Sequence, residues 1–416
     1  MVRNKKVKLY NIKTFVYASV SGLKLNLGGQ LGLNEILAAL DSFSLSAWKS
    51  LYVNVPDMKK INLGYLVFLA AQMLSDLINH SSMHNAVRGW ANIAMAIVVT
   101  NFLARMLWKE ERAIITYLLG VIVSIVFFGS ETEGVSLEDM GFFKFRLVPI
   151  LNAALMVSAW YLLKKMPRFQ FNIVLLFLAY GLFNIAFDSR SNGLIFILIS
   201  GLIYKRNIFL HLTFRKAVPY LAVFALLFQG LYSLYVMQVQ SGNIGGEHAK
   251  RQFSLTKNMY NPLNLLLVGR AEVYAAISAI ADRPLAGHGS WAVDPGGKYT
   301  FIAYQLHGED DKFVSDMRNM EGELIIPSHS VIFGAWMTAG ILGLLAILYI
   351  IYLFYKNAFG LLRQAEVLAS PYFPIVILYL ITGAWIFLFS PLPHIKQTLP
   401  IMIAFIVVTH RRMTNS

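Results

Sequence analysis

The chain lacks cysteine and has few charged side chains. None of its 416 residues is Cys, which excludes disulfides, thiolate metal sites and cysteine nucleophiles. Charged residues make up only 14% of the chain, whereas hydrophobic residues make up 57%, which is well beyond the apolar share of an ordinary soluble domain. The composition therefore predicts a protein that folds in a membrane.

The apolar residues form runs that are long enough, or nearly so, to cross a hydrocarbon core as helices. These runs are residues 113–129, 173–187, 217–236, 331–355 and 375–389. Because lipid does not tolerate open strands, they predict an all-α, polytopic transmembrane helical bundle with about 12 membrane segments. Residues 1–237 would form an N-terminal transmembrane bundle, residues 238–328 one large, partly helical periplasmic loop, and residues 329–416 the C-terminal transmembrane helices.

The net charge of +14 follows from basic clusters between the apolar runs. Under the positive-inside rule these clusters are cytoplasmic, as are both termini: they are residues 3–13, 59–60, 105–112, 164–168, 205–216, 356–363 and 411–412. The basic N-terminal stretch precedes no tidy cleavage site, so we expect it to be retained. The charge does not gather on one basic face with interleaved aromatics, so nucleic acid is not an expected partner.

The least regular part of the pattern is residues 14–48. This stretch must cross the membrane twice or not at all, because the basic clusters on both sides of it, residues 3–13 and 59–60, are predicted to be cytoplasmic. Lys24, Asn26, Gly28 and Gly29 interrupt this stretch. Two short helices or a re-entrant hairpin would fit, because irregular backbone at membrane depth needs cover from protein or water.

Three basic residues stand where this topology places the outer edge of the membrane: Arg190, Arg270 and His329. Arg190 is unusual between two apolar helices, although it could simply reach headgroups or pair with Asp188. Arg270 could equally form a surface salt bridge with Glu272 or Asp282.

His329 opens the apolar run that continues to Tyr355. A neutral imidazole at that position could act as a general base. The alternative is that Ser328 caps the helix and His329 is merely interfacial.

The spacing of two glycines distinguishes these readings. His329-Ser330 is followed by nine residues and then by Gly340-Ile341-Leu342-Gly343. With 9 His and 29 Gly in the chain, and with Asn, Ser or Gln following a His at a frequency of about 0.15, this spacing is expected by chance roughly 0.007 times, or some hundredths of a time once glycine enrichment in membrane helices is included. Gly340 and Gly343 also predict a small face for close helix packing, which would suit any membrane bundle.

This spacing resembles the signature of the O-antigen ligase and polysaccharide polymerase superfamily. Two further segments are similar to that family. Residues 189–193 resemble its Ser-Arg-Ser-Gly segment, and Arg270 with Tyr274, Pro284, Gly287 and Gly289 resembles an arginine ahead of a helix and a Pro-x-x-Gly-x-Gly turn. The matches cover residues 188–343 in the family's order.

The resemblance implies a metal-independent inverting glycosyltransferase. The donor would be a glycan on undecaprenyl diphosphate, and the acceptor a lipid-linked glycan or the lipid A core. Arg190 and Arg270 would bind the diphosphate, and His329 would accept the proton of the acceptor hydroxyl. No metal or other cofactor is expected, since fixed guanidinium groups can stabilise the leaving diphosphate.

The same resemblance implies a bacterial inner membrane protein whose active site faces the periplasm among membrane lipids. It favours a polymerase of surface polysaccharide, leaves an O-antigen ligase open, and allows a chain-length regulator protein as a partner. A lipid-linked glycan flippase or transporter is the alternative of another class, but the sequence shows no internal repeat. No role is assigned to the remaining polar residues of the loop, which are Glu272, Asp282, His288, His307, Glu321, Glu323 and the acidic run 309–311.

Overall fold

The computed structural model describes most of the chain, and its backbone is almost entirely helical. The described residues are 2–26, 30–129, 142–187, 189–211, 214–243, 250, 253–256, 258–262, 264, 270–306, 314, 317–318 and 322–415. The prediction of an all-α protein is confirmed. The helices that position the site are bounded as follows: α1 Val2–Ser19, α2 Leu33–Ser42, α3 Leu45–Asn54, α4 Pro56–Ile78, α5 Met83–Lys109, α6 Ala113–Phe128, α7 Val148–Lys165, α8 Gln170–Ala186, α9 Arg190–Tyr204, α10 Ile208–His211, α11 Phe214–Gln240, α12 Glu272–Asp282, α13 Lys298–Leu306, α14 Val331–Leu362, α15 Ala365–Ala369, α16 Phe373–Phe389, α17 His394–Gln397 and α18 Leu399–Asn415.

Among the described residues, 5 helical stretches are long and apolar enough to cross a membrane. They are Pro56–Ile78, Met83–Lys109, Phe142–Lys165, Pro167–Ala186 and Val331–Leu362. Ala113–Phe128, Arg190–Tyr204 and Phe373–Phe389 are apolar but shorter. These helices suit a membrane protein, while the larger number of about 12 crossings stays a prediction.

Two short elements occupy the irregular N-terminal region. An antiparallel pair of strands, Lys24–Asn26 and Gln30–Gly32, joins α1 to α2, with Leu25 opposite Leu31. At the other end of α2, Asp41 accepts hydrogen bonds from Lys13 at 2.6 Å and from Arg105 at 2.7 Å. These strands separate α1 from α2, and Gly28 and Gly29 lie outside the described residues. How residues 14–48 lie in the membrane stays a prediction.

Close packing between helices relies on glycine at several crossings. Gly181 of α8 faces Gly193 of α9, and a Cβ on either residue would lie within 2.7 Å of an atom of the other helix. Gly64 of α4 lies similarly against Ile350 of α14. Such small residues let backbones approach in a membrane bundle, where van der Waals contact replaces the hydrophobic effect as the source of association.

The helix that follows His329 is broken at Gly340, which corrects the expectation of one continuous helix. Gly340 has φ 65° and ψ −162°, so α14 consists of two helical pieces. Gly340 is thus the point where the helix breaks and not one step of a helix-packing face. A Cβ on Gly343 would lie 2.6 Å from the carbonyl oxygen of Ala335 in the same helix and 3.4 Å from the Phe68 ring of α4, and a role of Gly343 in helix packing stays a prediction.

We expect Gly340→Ala to destabilise the protein. An alanine there would adopt a strained backbone at a cost of about 1–3 kcal/mol, and its Cβ would overlap the carbonyl oxygen of Leu285. Thermal unfolding of the detergent-solubilised protein, followed by tryptophan fluorescence, measures the effect. Gly201→Ala is the matched control, since a Cβ at Gly201 meets nothing within 4 Å. Equal melting temperatures for the two variants would contradict this account of Gly340.

Candidate functional site

A non-helical segment, residues 284–290, lies in the break of α14. The backbone N–H of His288 donates to the Met337 carbonyl at 2.7 Å, and that of Gly289 donates to the Thr338 carbonyl at 3.0 Å. In the opposite direction, the N–H of Ile341 donates to the Leu285 carbonyl at 3.3 Å. These bonds occupy backbone groups that a break would otherwise leave unpaired in an apolar environment.

Two glycines make this contact sterically possible. Gly287 has φ 72°, and a Cβ on it would lie 2.5 Å from the Gly340 nitrogen. A Cβ on Gly340 would in turn overlap the carbonyl oxygen of Leu285. The Pro-x-x-Gly-x-Gly segment and the Gly-x-x-Gly segment, which the sequence separates by some fifty residues, are therefore in direct contact.

The end of α4 holds the inserted segment from its other side. Ser75 donates from Oγ to the Thr338 carbonyl at 2.7 Å and accepts from the Gly289 N–H at 3.1 Å. Asn79 donates to the Gly287 carbonyl at 3.1 Å.

Asp76 completes this attachment. Its buried carboxylate accepts from the backbone N–H of Ser290 at 2.6 Å and from the Ser290 hydroxyl at 2.8 Å, while the Trp90 indole donates to it at 2.7 Å. Segment 284–290 is thereby fixed to α4, α5 and α14 together.

Helix α12, directly before this segment, lies against the first part of α14. Its small residues Ala275, Ala276 and Ala279 are fully buried in a cluster that includes Met337. Alanine on one helical face allows a close approach between the two helices. This approach places the start of α12, with Arg270 and Glu272, beside His329.

His329 lies just before α14 and faces Glu272. Its Nδ1 is 3.9 Å from Oε1 of Glu272, and its side chain is 36% exposed. The helix begins at Val331 and is capped by Ser330, whose Oγ accepts from the Phe333 N–H at 3.2 Å. The alternative in which Ser328 caps the helix is therefore wrong, and His329 lies outside the helix.

The surroundings of His329 favour its neutral form. Burial lowers the pKa of the His329 imidazole below its ordinary value, the Glu272 carboxylate raises it, and the Arg270 guanidinium lowers it. His394, at the start of α17, is close enough to be affected by the charge of His329, and burial together with that charge lowers the pKa of His394 to about 4. A neutral imidazole with one open side can accept a proton near neutral pH.

Arg270 provides the cationic part of this site. Its Cζ lies 5.7 Å from the ring centroid of Trp385 on α16, within the usual range of a cation–π contact. Burial lowers the pKa of the Arg270 guanidinium and Glu272 raises it, but an arginine stays protonated in proteins.

Arg190 begins α9, at the same end of the bundle as Trp385. The other end of α9 is fixed by Arg206, which donates to the Leu368 carbonyl at 2.9 Å shortly before α16 starts. The two helices are thus antiparallel, and Arg190 lies near the level at which α16 ends. The charge of Arg190 acts on the Tyr232 hydroxyl of α11. Convergence of Arg190 with Arg270 and His329 stays a prediction.

Three asparagines, of which Asn184 is fully buried, support the helix that begins with Arg190. Asn192 accepts a hydrogen bond from Asn152 of α7 at 2.8 Å and donates to Asn184 of α8 at 3.1 Å. Tyr180 also donates to Asn152 at 2.8 Å. Polar contacts of this kind join α7, α8 and α9 at the level of Arg190. Asp188, the alternative partner of Arg190, lies outside the described residues.

Comparison with family models and with curated proteins assigns no function to this site. No family model matches the chain. No curated protein matches it either. Membership of the O-antigen ligase and polymerase superfamily therefore stays a prediction that depends on the residues described above.

Two loop residues without an assigned role have structural partners. His288 contacts the Ala279 carbonyl through Nε2 at 2.7 Å, and Asp282 binds Lys298 and Tyr299, each at 2.5 Å. His307, Glu321 and the acidic run 309–311 lie outside the described residues. Within the described part of the chain, no three His, Asp or Glu side chains are grouped as metal ligands.

Glu272 and His394 were not distinguished by the sequence. Carboxylates are common in loops, so nothing in the spacing of Glu272 indicated a contact with His329. His394 is separated from His329 by two apolar helices, and only the fold brings the two imidazoles together.

We expect His329 to be neutral at pH 7 and to gain its proton only at a pH below its ordinary pKa of about 6.5. Diethyl pyrocarbonate modifies the neutral imidazole, so the rate of modification of His329 should rise with pH, with a midpoint below that value. Peptide mass spectrometry at a series of pH values measures the midpoint, and the same protein unfolded in denaturant is the control. A midpoint in the folded protein at or above that of the unfolded chain would contradict the expectation.

Proposed function

We propose that this protein is a polymerase of bacterial surface polysaccharide, a metal-independent inverting glycosyltransferase of the inner membrane. On this proposal the chain crosses the membrane about 12 times with both termini in the cytoplasm. The ends that carry Arg190, Arg270 and His329 then face the periplasm, together with the partly helical loop of residues 238–328.

The observation that carries the proposal is the grouping of Arg270, Glu272 and His329 at one end of an apolar bundle. A lipid-linked donor keeps its diphosphate at the membrane surface while its polyprenyl chain stays in lipid. A partly buried arginine beside a half-exposed histidine at a helix end matches the position of those groups. The contact between segment 284–290 and Gly340 supports the proposal further, because it joins two segments on which the family resemblance depends.

The chemistry follows from the charges of these residues. The guanidinium groups of Arg190 and Arg270 would bind diphosphate oxygens. They would stabilise the negative charge that develops on the diphosphate as its bond to the anomeric carbon breaks. The acceptor hydroxyl attacks that carbon from the opposite face, and its proton passes to the neutral imidazole of His329. One glycosidic bond forms, undecaprenyl diphosphate leaves with the bonding electron pair, and the anomeric configuration inverts.

We expect His329→Ala to abolish polymer formation. Loss of a general base lowers a rate by about 10²- to 10⁴-fold, which would leave too little polymer to detect on a gel. A strain that lacks this protein is complemented with the variant, membrane insertion is verified, and lipopolysaccharide and lipid-linked glycans are resolved. His211→Ala is the matched control, since His211 is exposed at the end of α10.

The species that accumulates identifies the reaction. Single repeat units on the lipid A core indicate a polymerase. A naked core with polymer still on undecaprenol indicates an O-antigen ligase, the alternative within the same family. Polymer of normal length and amount with correctly inserted His329→Ala would remove the proposed mechanism, and a lipid-linked glycan flippase or transporter would then be the better candidate.

A further inference from the structure

We propose that Glu272 is a positioning residue for His329: its carboxylate orients the imidazole through Nδ1 and stabilises the imidazolium that forms when His329 accepts a proton. The consequence for catalysis depends on the proposed function. The pairing of the two side chains does not.

The placement of Glu272 supports this role. Its side chain is only 12% exposed, and Oε1 lies 3.9 Å from Nδ1 of His329. The other oxygen, Oε2, is buried and has no hydrogen-bond partner among the described residues. A buried carboxylate is costly unless it has a partner, so a carboxylate retained here calls for a cation or a donor beside it.

The distance of 3.9 Å is longer than a hydrogen bond. Catalytic contacts are often long in the absence of substrate and shorten when substrate binds. A small rotation of the half-exposed imidazole would bring Nδ1–H to the carboxylate. In that orientation Nε2 carries the lone pair and is the atom that accepts the proton, so the contact selects the tautomer of His329.

Among the residues that the structure describes, three charged or titratable groups face His329, and their effects are opposed. Burial and Arg270 lower the pKa of the imidazole, and Glu272 raises it. The third group is His394, at the start of α17. A proton on His329 disfavours a proton on His394. Among these groups Glu272 is the one that favours the protonated form of His329, which the proposed transfer step produces.

Glu272 also lies near Arg270, so a purely structural role would be to balance that arginine's charge. The two roles have different consequences for kinetics. If Glu272 acted through Arg270, its removal would chiefly change the KM for the lipid diphosphate. If it acts through His329, its removal lowers kcat, leaves that KM nearly constant and moves the pH profile.

The experiment titrates His329 directly in the purified full-length protein. Modification by diethyl pyrocarbonate is followed by mass spectrometry against pH for the wild type, Glu272→Gln, Glu272→Asp and the control Glu366→Gln. Glu366 is an exposed carboxylate on α15. Removing the carboxylate removes what raises the pKa of His329, so the Glu272→Gln midpoint should fall below that of the wild type. Glu272→Asp should restore most of the shift because it keeps the charge.

Transfer of a lipid-linked donor is then assayed on the same four proteins. For Glu272→Gln we expect kcat at pH 7 to fall by at least about 10-fold. The acid limb of its pH–rate profile should move to lower pH by the same amount as the midpoint of the His329 titration. Glu272→Asp should recover part of the rate.

The outcomes separate the two proposals. An unchanged midpoint in Glu272→Gln overturns the positioning role, whatever the protein's activity. If the His329 midpoint falls in Glu272→Gln but only KM changes, the positioning role is overturned, and Glu272 instead balances the charge of Arg270. A lowered midpoint in a protein whose wild type transfers no glycan supports the pairing of Glu272 with His329 and removes the proposed function alone.

Discussion

The site depends on how the chain satisfies backbone groups where a long apolar helix is interrupted. A helix broken in lipid leaves N–H and C=O groups that water cannot reach, each at a cost of several kcal/mol. Here residues 284–290 supply the missing partners for Met337, Thr338 and Ile341. Thr338 lies about 10 Å along the axis from the start of α14, so this non-helical segment reaches well below the end of the bundle. The insertion brings α12 against α14, and with it Arg270 and Glu272 against His329.

The class of fold could be predicted from apolar run length, because lipid permits few other structures to a chain of this composition. The break at Gly340 could not, since glycines in membrane helices more often permit close packing, and only the distant segment that contains Gly287 makes the break stable. Among the site residues, Arg270 and His329 were found because they stand at the predicted outer edge of the membrane and belong to segments that resemble the O-antigen ligase and polymerase superfamily. Glu272 was missed because its carboxylate is unexceptional in a polar loop, and its burial follows from the packing of α12.

The region around His329 combines fixed charges with two imidazoles. A guanidinium, a carboxylate and two imidazoles share a partly buried space, so the protonation of His329 and of His394 depends on their neighbours. Burial and Arg270 lower the pKa of His329 and so favour the neutral imidazole, whereas Glu272 raises that pKa and stabilises the proton once it arrives. A site with only the arginine would make the imidazole a weaker base, and one with only the carboxylate would leave it protonated more often.

The attachment of segment 284–290 to both α4 and α14 also bears on how the protein is made. Helix α4 is synthesised early, and Ser75, Asp76 and Asn79 gain their partners in segment 284–290 only when some two hundred further residues have been translated. The segment can dock on α4 as soon as it emerges, but the groups freed at Gly340 appear only when α14 follows. Assembly of the site is therefore one of the last events in biogenesis, and a nascent chain stalled before α14 would hold its arginine and carboxylate without the histidine that they face.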